Sequence, residues 1–314
     1  MNLPTKRGIF PAIPVQFKSN YEIDEAPFRE YLRWISAQGV QGLVCNGHTG
    51  EINALRPSER RRVVEICVDE VGDKLPIISG VSAEGTLEAI EHARDAQEAG
   101  AKGILLMPPH QWLRFGMKPE TPVDFFRGVA EAIDIDIIVH LYPSWTKAFY
   151  PLDARLEMIK LPNVVAIKDG TRDMARYQKD VSVIKEVAPH ISILTCHDEY
   201  LLPSMIFGID GALVGFGSLV PELITGLWQA VENDDLAVAR RFEQRLLPLK
   251  QAVYGMGEPS GDAHARLKEA LVQRGLLTSG LMRPPVPALS AEEKEKIARA
   301  LDKADIASQQ AVPA

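Results

Sequence analysis

Short runs of apolar residues alternate with longer amphipathic stretches along most of the chain. Eight runs are rich in Ile, Val and Leu and are bounded by Gly, Pro or charged residues, a pattern typical of β-strands. Their apolar residues are continuous, which indicates strands buried on both faces, as in a parallel sheet covered by helices. The predicted strands are Gly8–Val15, Gly42–Cys45, Pro76–Gly80, Gly103–Met107, Asp136–Tyr142, Val164–Lys168, Ile191–Thr195 and Ala212–Phe216.

An amphipathic stretch with helical spacing follows each predicted strand. A β-then-α order repeated eight times predicts an α/β protein with the (β/α)8 TIM-barrel fold. The predicted helices are Glu25–Gln38, Ser58–Val71, Glu84–Ala99, Val123–Ala132, Leu152–Lys160, Met174–Val187, Glu199–Phe207 and Pro221–Val231.

Further helices are predicted beyond the eighth repeat. We expect a catalytic barrel over residues 1–232 and, over residues 233–307, a helical extension that caps the barrel without chemistry of its own. Residues 308–314 are expected to form a disordered tail. The predicted helices of the extension are Leu236–Tyr254, Asp262–Arg274 and Ala291–Leu301.

Composition excludes several classes of function. The 314 residues are 46% hydrophobic and 25% charged, with a net charge of −7. An acidic surface repels phosphate backbones, so no nucleic-acid partner is expected. The basic cluster of Arg56 and Arg60–Arg62 is interpreted as a solvated helix face. No apolar run approaches the roughly 20 residues of a membrane span, and the amino terminus lacks the apolar core of a signal peptide.

The number of cysteines indicates whether the protein is expected in an oxidising or a reducing cellular compartment. The chain has three cysteines, Cys45, Cys67 and Cys196. An odd and sparse count does not make a disulfide framework and favours a reducing compartment. We therefore predict a cytoplasmic protein.

A lysine closes the sixth predicted strand. Functional groups of a parallel barrel collect at the carboxyl ends of its strands, so Lys168 is expected to point its amine into the barrel mouth. Burial would lower the pKa of this amine and let it attack a ketone to form an iminium, an electron sink for breaking a neighbouring bond. The alternative is a lysine that reaches solvent or pairs with Asp169.

A polar loop bounded by glycines follows the second predicted strand. Gly47 and Gly50 flank His48 and Thr49, and such a loop can turn consecutive backbone N–H groups inward as a nest for a carboxylate. The Thr49 hydroxyl adds a donor. The loop is therefore predicted to bind the carboxylate of a 2-oxo acid, an ordinary glycine-rich turn being the alternative.

Two side chains suited to proton transfer lie at the end of the fifth predicted strand. His140 and Tyr142 are two residues apart, so they share one face of the strand and can both reach the barrel mouth. Either can move a proton. The alternative is that both are packed and hydrogen-bonded for structural reasons.

These three sites, in this order, resemble the dihydrodipicolinate synthase / N-acetylneuraminate lyase family. The resemblance implies a Schiff-base lyase barrel, usually tetrameric, without metal or organic cofactor. Within it, Lys168 matches the Schiff-base lysine, and Thr49 matches the second threonine of the carboxylate-binding loop. The matching segments are Gly8–Val15, Gly47–Glu51, Tyr142–Ser144, Ile167–Asp169 and Leu276–Pro287.

The chain departs from the family pattern at several histidines. His140 falls where many members have their catalytic tyrosine, and Tyr142 lies two residues later. His48 replaces the first threonine of the loop, and His110 falls near a tyrosine that members lend to a neighbouring subunit. The resemblance thus predicts a proton relay built largely from histidines that titrate near neutral pH. It leaves open which of His140 and Tyr142 moves the proton.

A further departure concerns the substrate. Members that make dihydrodipicolinate carry an arginine, two residues after the proline, that holds a distal carboxylate. This chain has Trp145 there, and an uncharged side chain would leave a carboxylate without a charged partner. A less charged, bulkier or aromatic aldehyde is therefore expected. Cys196, directly after the seventh strand, and Leu213, on the eighth, complete the predicted substrate-binding residues.

The leading hypothesis is a class I lyase, an aldolase or a dehydratase, acting on a 2-oxo acid such as pyruvate or a 2-keto-3-deoxy sugar acid. Dihydrodipicolinate synthesis from pyruvate and aspartate semialdehyde is the alternative within the family. A metal-assisted lyase would instead gather His48, His110 and His140 around Zn²⁺, although no metal is expected. A barrel that binds a 2-oxo acid without turnover is the remaining alternative.

Overall fold

Eight parallel strands form one sheet that curves into a barrel in the computed structural model, which describes residues 3–255 and 261–306. From the second strand to the eighth, each strand pairs with the next along the chain, and the first pairs with the eighth. A single bridge between Ala12 and Val44 joins the first strand to the second and completes the ring. The strands are β1 (Gly8–Pro11), β2 (Leu43–Cys45), β3 (Ile77–Val81), β4 (Gly103–Leu106), β5 (Asp136–Leu141), β6 (Val164–Asp169), β7 (Ser192–Thr195) and β8 (Gly211–Val214).

Helices surround the barrel and bury their apolar faces against the outer side of the sheet. The predicted (β/α)8 barrel is therefore confirmed. No helix in the described part of the chain is long and apolar enough to cross a membrane. The helices are α1 (Glu25–Ser36), α2 (Pro57–Val71), α3 (Thr86–Glu98), α4 (Gln111–Phe115), α5 (Thr121–Ala130), α6 (Leu152–Met158), α7 (Met174–Val187), α8 (Leu201–Ile206), α9 (Phe216–Leu219) and α10 (Pro221–Glu232).

A second, smaller apolar cluster fills the interior of the barrel. Its side chains come from all eight strands, so the interior is a packed core and not a pore. This cluster lies directly below the polar residues at the carboxyl ends of the strands. The strand residues of this cluster are Phe10, Val44, Ile78, Leu105, Ile138, Val165, Ala166, Leu194 and Leu213.

The extension consists of α11 (Leu236–Val253), α12 (Gly261–Gln273) and α13 (Ala291–Lys303). A capping box starts α13, because the Glu293 N–H donates to Ser290 Oγ at 3.2 Å and the Ser290 N–H donates to Glu293 Oε2 at 2.9 Å. The segment before this helix, Met282–Val286, reaches the barrel mouth. The expected tail at residues 308–314 lies outside the described residues.

The basic cluster on α2 is only partly a solvated face. Arg61 and Arg62 form surface ion pairs, with Glu98 at 2.9 Å and Glu25 at 2.7 Å respectively. Arg60 is instead half-buried, and its Nε donates to the carbonyl oxygens of Ile52 and Leu55, each at 3.1 Å. Arg60 therefore anchors the end of the loop that follows β2.

Candidate active site

A cavity of about 570 Å³ opens at the carboxyl ends of the strands. Ala12, Leu105 and Leu213 contribute to its lining from the apolar barrel interior. Its polar lining comes from the loops and strand ends after β2, β4, β5, β6 and β7 and from the extension. This is the end of the barrel at which the sequence places the candidate residues.

A β-bulge in β6 decides which way Lys168 points. Ile137 pairs with Val164 but Ile138 pairs with Ala166, so Val165 is an extra residue in the ladder. The bulge puts two consecutive residues, Val165 and Ala166, in the inner cluster and shifts the alternation of every later residue by one position. Lys168 consequently pairs with the inward-facing His140 and lines the cavity.

Lys168 lies in the cavity without a neutralising partner. Its amine forms no ion pair or hydrogen bond with another group in the described ranges. The enclosing protein lowers the pKa of its amine, mainly through burial, and nearby Arg172 acts in the same direction, while Cys196 and Asp198 oppose this effect. The amine is therefore neutral at a lower pH than an ordinary lysine, as nucleophilic attack requires.

Asp169 does not pair with Lys168, which removes one alternative interpretation of the lysine. Its side chain is fully buried behind the sheet, where Arg155 Nη1 lies 3.8 Å from Asp169 Oδ2. Asp169 Oδ1 accepts the Thr171 N–H at 2.7 Å. The acid therefore fixes the turn after Lys168 and leaves the amine exposed to the cavity.

The loop after β2 has the form of a carboxylate nest. Asn46 and Glu51 bound it with positive φ angles of 52° and 55°. Gly80 on β3 makes this turn possible, because a Cβ there would lie 1.9 Å from Asn46 O. Within the described residues, the N–H groups of His48, Thr49 and Gly50 have no hydrogen-bond acceptor, so they remain available to a ligand.

A cluster of aromatic rings joins this loop to the end of β5. The Tyr142 hydroxyl lies 3.0 Å from His48 Nε2 and 3.4 Å from His110 Nε2. The ring of His140 packs edge-on against Tyr142, with a centroid distance of 5.0 Å. Tyr142 thus occupies the centre of the cluster, and both β5 candidates reach the mouth as their spacing predicts.

The expectation that these histidines titrate near neutral pH is wrong for two of them. Burial, with a contribution from the charge of Lys168, lowers the pKa of His48 to about 3. The same two causes hold the pKa of His140 well below its ordinary value. Both imidazoles are therefore neutral at physiological pH. Each can relay a proton by accepting it at one ring nitrogen while the other ring nitrogen gives a proton up.

The imidazoles do not form the zinc site that the metal hypothesis requires. The ring centroids of His48 lie 6.1 Å from those of His110 and 5.7 Å from those of His140. Tyr142 bonds to two of these rings. Across residues 3–255 and 261–306, no group of three or more His, Cys, Asp or Glu side chains is arranged to hold a metal ion.

Comparison with known proteins places the chain in a family. The sequence profile of the Dihydrodipicolinate synthetase family matches residues 5–304. The chain belongs to this family. The 4-hydroxy-tetrahydrodipicolinate synthase of Nitrobacter hamburgensis is 33% identical over 261 residues, which are 82% of this chain and 85% of that protein.

Other members have different names. The Escherichia coli K12 protein named "Probable 2-dehydro-3-deoxy-D-pentonate aldolase YjhH" is 28% identical over 291 residues, 92% of this chain and 94% of that protein. The crystal structure of YagE, a prophage protein of E. coli K12 in complex with pyruvate, has a TM-score of 0.88 at 24% identity, covering 96% of this chain and 99% of that one. The last comparison supports the shared fold.

Membership confirms the predicted class of enzyme. The chain is a lyase that acts on a 2-oxo acid through a lysine Schiff base, as the Dihydrodipicolinate synthetase family does. A 4-hydroxy-tetrahydrodipicolinate synthase and a 2-dehydro-3-deoxy-D-pentonate aldolase carry out different reactions within this class. Which reaction this chain catalyses depends on the cavity residues that contact the second half of the substrate.

Trp145 does not occupy the position expected of it. Its side chain is 61% exposed and is absent from the cavity lining. The residue follows a proline turn at the end of β5, and this turn carries it away from the mouth. The structure thus provides no contact through which Trp145 would select the substrate. Cys196 and Leu213, by contrast, both line the cavity as predicted.

Several residues that line the cavity were not predicted. Asp198 follows β7, and its carboxylate accepts the N–H groups of Gly215 at 3.1 Å and Phe216 at 2.8 Å. Burial raises its pKa to about 6. Tyr254 and His264 come from the extension. Asp198 lies within the strand-end loops and could have been found there, whereas the barrel pattern gives no signal for the extension residues.

Proposed function

We propose that Lys168 is the Schiff-base nucleophile of a 2-oxo acid aldolase. The observation that carries this proposal is the position of its amine, which faces a 570 Å³ cavity beside His140 and has a lowered pKa. Lys168 Nζ attacks C2 of the 2-oxo acid, and the carbonyl oxygen leaves as water. The resulting iminium withdraws electrons from the adjacent carbon.

Cleavage then follows from this iminium. A base takes the proton of the C4 hydroxyl, the C3–C4 bond breaks, and its electron pair forms the C2–C3 double bond of an enamine while the aldehyde departs. A proton returns to C3, and water hydrolyses the imine to release a short 2-oxo acid and the free lysine. One residue that holds and returns a proton serves both steps.

We assign that proton transfer to Tyr142. Its hydroxyl reaches both His48 and His110, so a proton that leaves the phenol can be replaced through an imidazole. The neutral His140 lies opposite Lys168 on the neighbouring strand. Its buried Nδ1 has no hydrogen-bond partner among the described residues. The nest formed by the N–H groups of His48, Thr49 and Gly50 holds the substrate carboxylate.

The charges of the cavity favour an aldehyde half without a carboxylate. Besides Lys168, the cationic side chains that line the described cavity are Arg172 and Arg283. Arg172 pairs with Glu199 at 2.9 Å and Arg283 with Glu59 at 2.6 Å. A second substrate carboxylate would have to compete with these acids, so a 2-keto-3-deoxy sugar acid fits better than aspartate semialdehyde.

The deciding experiment is reductive trapping. Sodium borohydride with pyruvate is expected to add the reduced three-carbon unit to the peptide that contains Lys168, as read by mass spectrometry. The Lys168→Ala variant should show no adduct and no turnover. An unmodified peptide in the wild-type protein would remove the proposal.

A second candidate function is 4-hydroxy-tetrahydrodipicolinate synthesis, favoured by the 33% identity to the Nitrobacter hamburgensis enzyme. The two are separated by parallel assays of pyruvate release from 2-keto-3-deoxy sugar acids and of condensation between pyruvate and aspartate semialdehyde. We expect the first activity to exceed the second. The opposite order would mean that the paired arginines do not exclude a dicarboxylate. Sugar acid consumed without pyruvate release would indicate a dehydratase.

We also propose a cytoplasmic homotetramer. Its support is the family resemblance, together with three cysteines that form no disulfide in the structure. Light scattering during size-exclusion chromatography should give four times the 34.7 kDa mass of one chain. A mass of one or two chains would contradict the tetramer.

A further inference from the structure

A fully buried lysine of the extension reaches the end of the nest. Lys268 on α12 has no exposed surface, and its Nζ donates to Glu51 Oε1 at 2.8 Å and to Leu281 O at 2.6 Å. Glu51 closes the loop after β2. The contact therefore joins the proposed carboxylate site to a helix that is remote in sequence.

The other oxygen of Glu51 is also held by the extension. Glu51 Oε2 accepts the backbone N–H of Arg283 at 3.0 Å. On the loop side, the Glu51 N–H donates to His48 O at 3.0 Å, and the Ile52 N–H donates to Gly47 O at 3.2 Å. The position of Glu51 is thus transmitted directly to the residues that carry the unpaired N–H groups.

Aromatic and charged neighbours enclose this contact. Phe17 has Lys268 Nζ 4.7 Å and Arg283 Cζ 4.5 Å from its ring centroid. Arg283 also donates to Ala54 O at 2.7 Å, in the turn that follows Glu51. Two residues of the extension therefore hold the segment from Glu51 to Ala54, at the end of the loop.

Stability alone does not explain such an arrangement. The desolvation of two buried charges can cost as much as their attraction returns, so a buried ion pair is weak evidence of stabilisation. Glu51 also adopts a left-handed backbone conformation, with φ of 55°, which a non-glycine residue keeps only when its surroundings impose it. The ion pair supplies that constraint.

We propose that Lys268 is a positioning residue of the active site: by holding Glu51, it orients the N–H groups of His48, Thr49 and Gly50 toward the carboxylate of the 2-oxo acid. This inference rests on the proposed function of the nest. It gives the extension a part in substrate binding, whereas the sequence predicts only a passive cap.

The test compares pyruvate with methyl pyruvate, which keeps the ketone and lacks the charged carboxylate. The rate of borohydride trapping at Lys168, measured against concentration, gives an apparent affinity for each compound. The variants are Lys268→Met and the milder Glu51→Gln. The amide of glutamine has one accepting oxygen, so it can accept from Lys268 or from the Arg283 N–H but not from both.

The matched control is Lys250→Met. Lys250 is also a buried lysine of the extension and pairs with Glu243 at 2.6 Å, but it does not touch the nest or the cavity. Removal of Lys250 therefore reports the general cost of losing a buried ion pair in this part of the molecule.

We expect Lys268→Met and Glu51→Gln to lose about tenfold or more of the preference for pyruvate over methyl pyruvate, as contacting groups in one network do. Lys250→Met should keep the wild-type preference. If Lys268→Met does not fold, Glu51→Gln decides the question. An unchanged preference, or an equal loss in the control, overturns the inference. Failure of the wild-type protein to form any adduct would instead overturn the proposed function.

Discussion

At the scale of single residues, the two candidates on β5 have different surroundings. Tyr142 hydrogen-bonds with two histidines, while His140 lies beside Lys168 and is held neutral by burial. A proton carrier needs a route along which its proton is replaced, and the contacts of Tyr142 provide one.

Tyr142→Phe should therefore lower kcat by roughly 10²- to 10⁴-fold, the usual contribution of a positioned acid–base group. The Lys168 adduct with pyruvate should still form. Tyr150→Phe is the control, because Tyr150 is fully buried, has no hydroxyl partner in the described part of the chain and does not line the cavity. Steady-state assays of both variants provide the measurement. A normal kcat for Tyr142→Phe would transfer the role to His140.

At the scale of secondary-structure elements, the sequence predicts most of the barrel because burial imposes its pattern directly. Apolar runs identify every strand, although β1 ends at Pro11 and not at Val15. The helices α4 and α9 were not predicted, since five and four residues are too few to show a helical period. The predicted helix Glu199–Phe207 instead starts at Leu201, after a 3-10 turn at Asp198–Tyr200.

The candidate site was only partly predictable for a related reason. Lys168, Thr49 and His140 belong to strand ends, where topology alone gives their location. Tyr254 and His264 reach the cavity from the extension, and their placement depends on helix docking, which no local pattern encodes. The exposure of Trp145 depends on a turn geometry that the sequence does not specify.

The contact between β3 and the nest gives a prediction at this scale. In Gly80→Ala, the new Cβ would meet Asn46 O at 1.9 Å, so the loop must move. We expect a destabilisation of about 1–3 kcal/mol, as for other overpacked sites, with weaker pyruvate binding. Denaturant unfolding and the trapping assay measure the two effects.

Gly85→Ala is the control for this substitution, because a Cβ at Gly85 has no neighbour within 4 Å. Its backbone is extended, with φ of −138°, and accepts alanine without steric strain. Gly85 is the N-cap of α3, so only the small loss of a favoured capping residue is expected there. Similar losses in the two variants would show that the close contact at Gly80 does not govern the loop.

At the scale of the whole molecule, buried neutral histidines link stability to pH. Burial lowers the pKa of His48 to about 3 and holds those of His140 and His197 well below the ordinary value of 6.5. Below pH 6.5 these histidines become protonated in the unfolded chain but stay neutral in the folded protein. The free energy of unfolding therefore falls as the pH decreases below 6.5 and is highest, as far as these histidines are concerned, above that pH.

Asp198 acts in the opposite direction. Burial raises its pKa to about 6, so as the pH falls it is protonated in the folded protein before it is protonated in the unfolded chain, which increases the free energy of unfolding. His264 adds to the histidine effect, because burial lowers its pKa to about 4. Each titrating group changes the free energy of unfolding by about 1.4 kcal/mol per pH unit, so we expect a net loss of roughly 5 kcal/mol between pH 6.5 and pH 5. Urea unfolding at both values measures it. Equal or greater stability at pH 5 would contradict the neutral histidines.

The extra residue in β6 has a consequence for the way this lineage can change. A chain lacking Val165 would have an unbroken ladder from the Ile137–Val164 pair to the His140–Lys168 pair, so its amine would still enter the barrel mouth. Loss of this single codon would thus straighten the strand and leave the reaction in place. Among relatives, a gap at this position is therefore compatible with an intact lysine site.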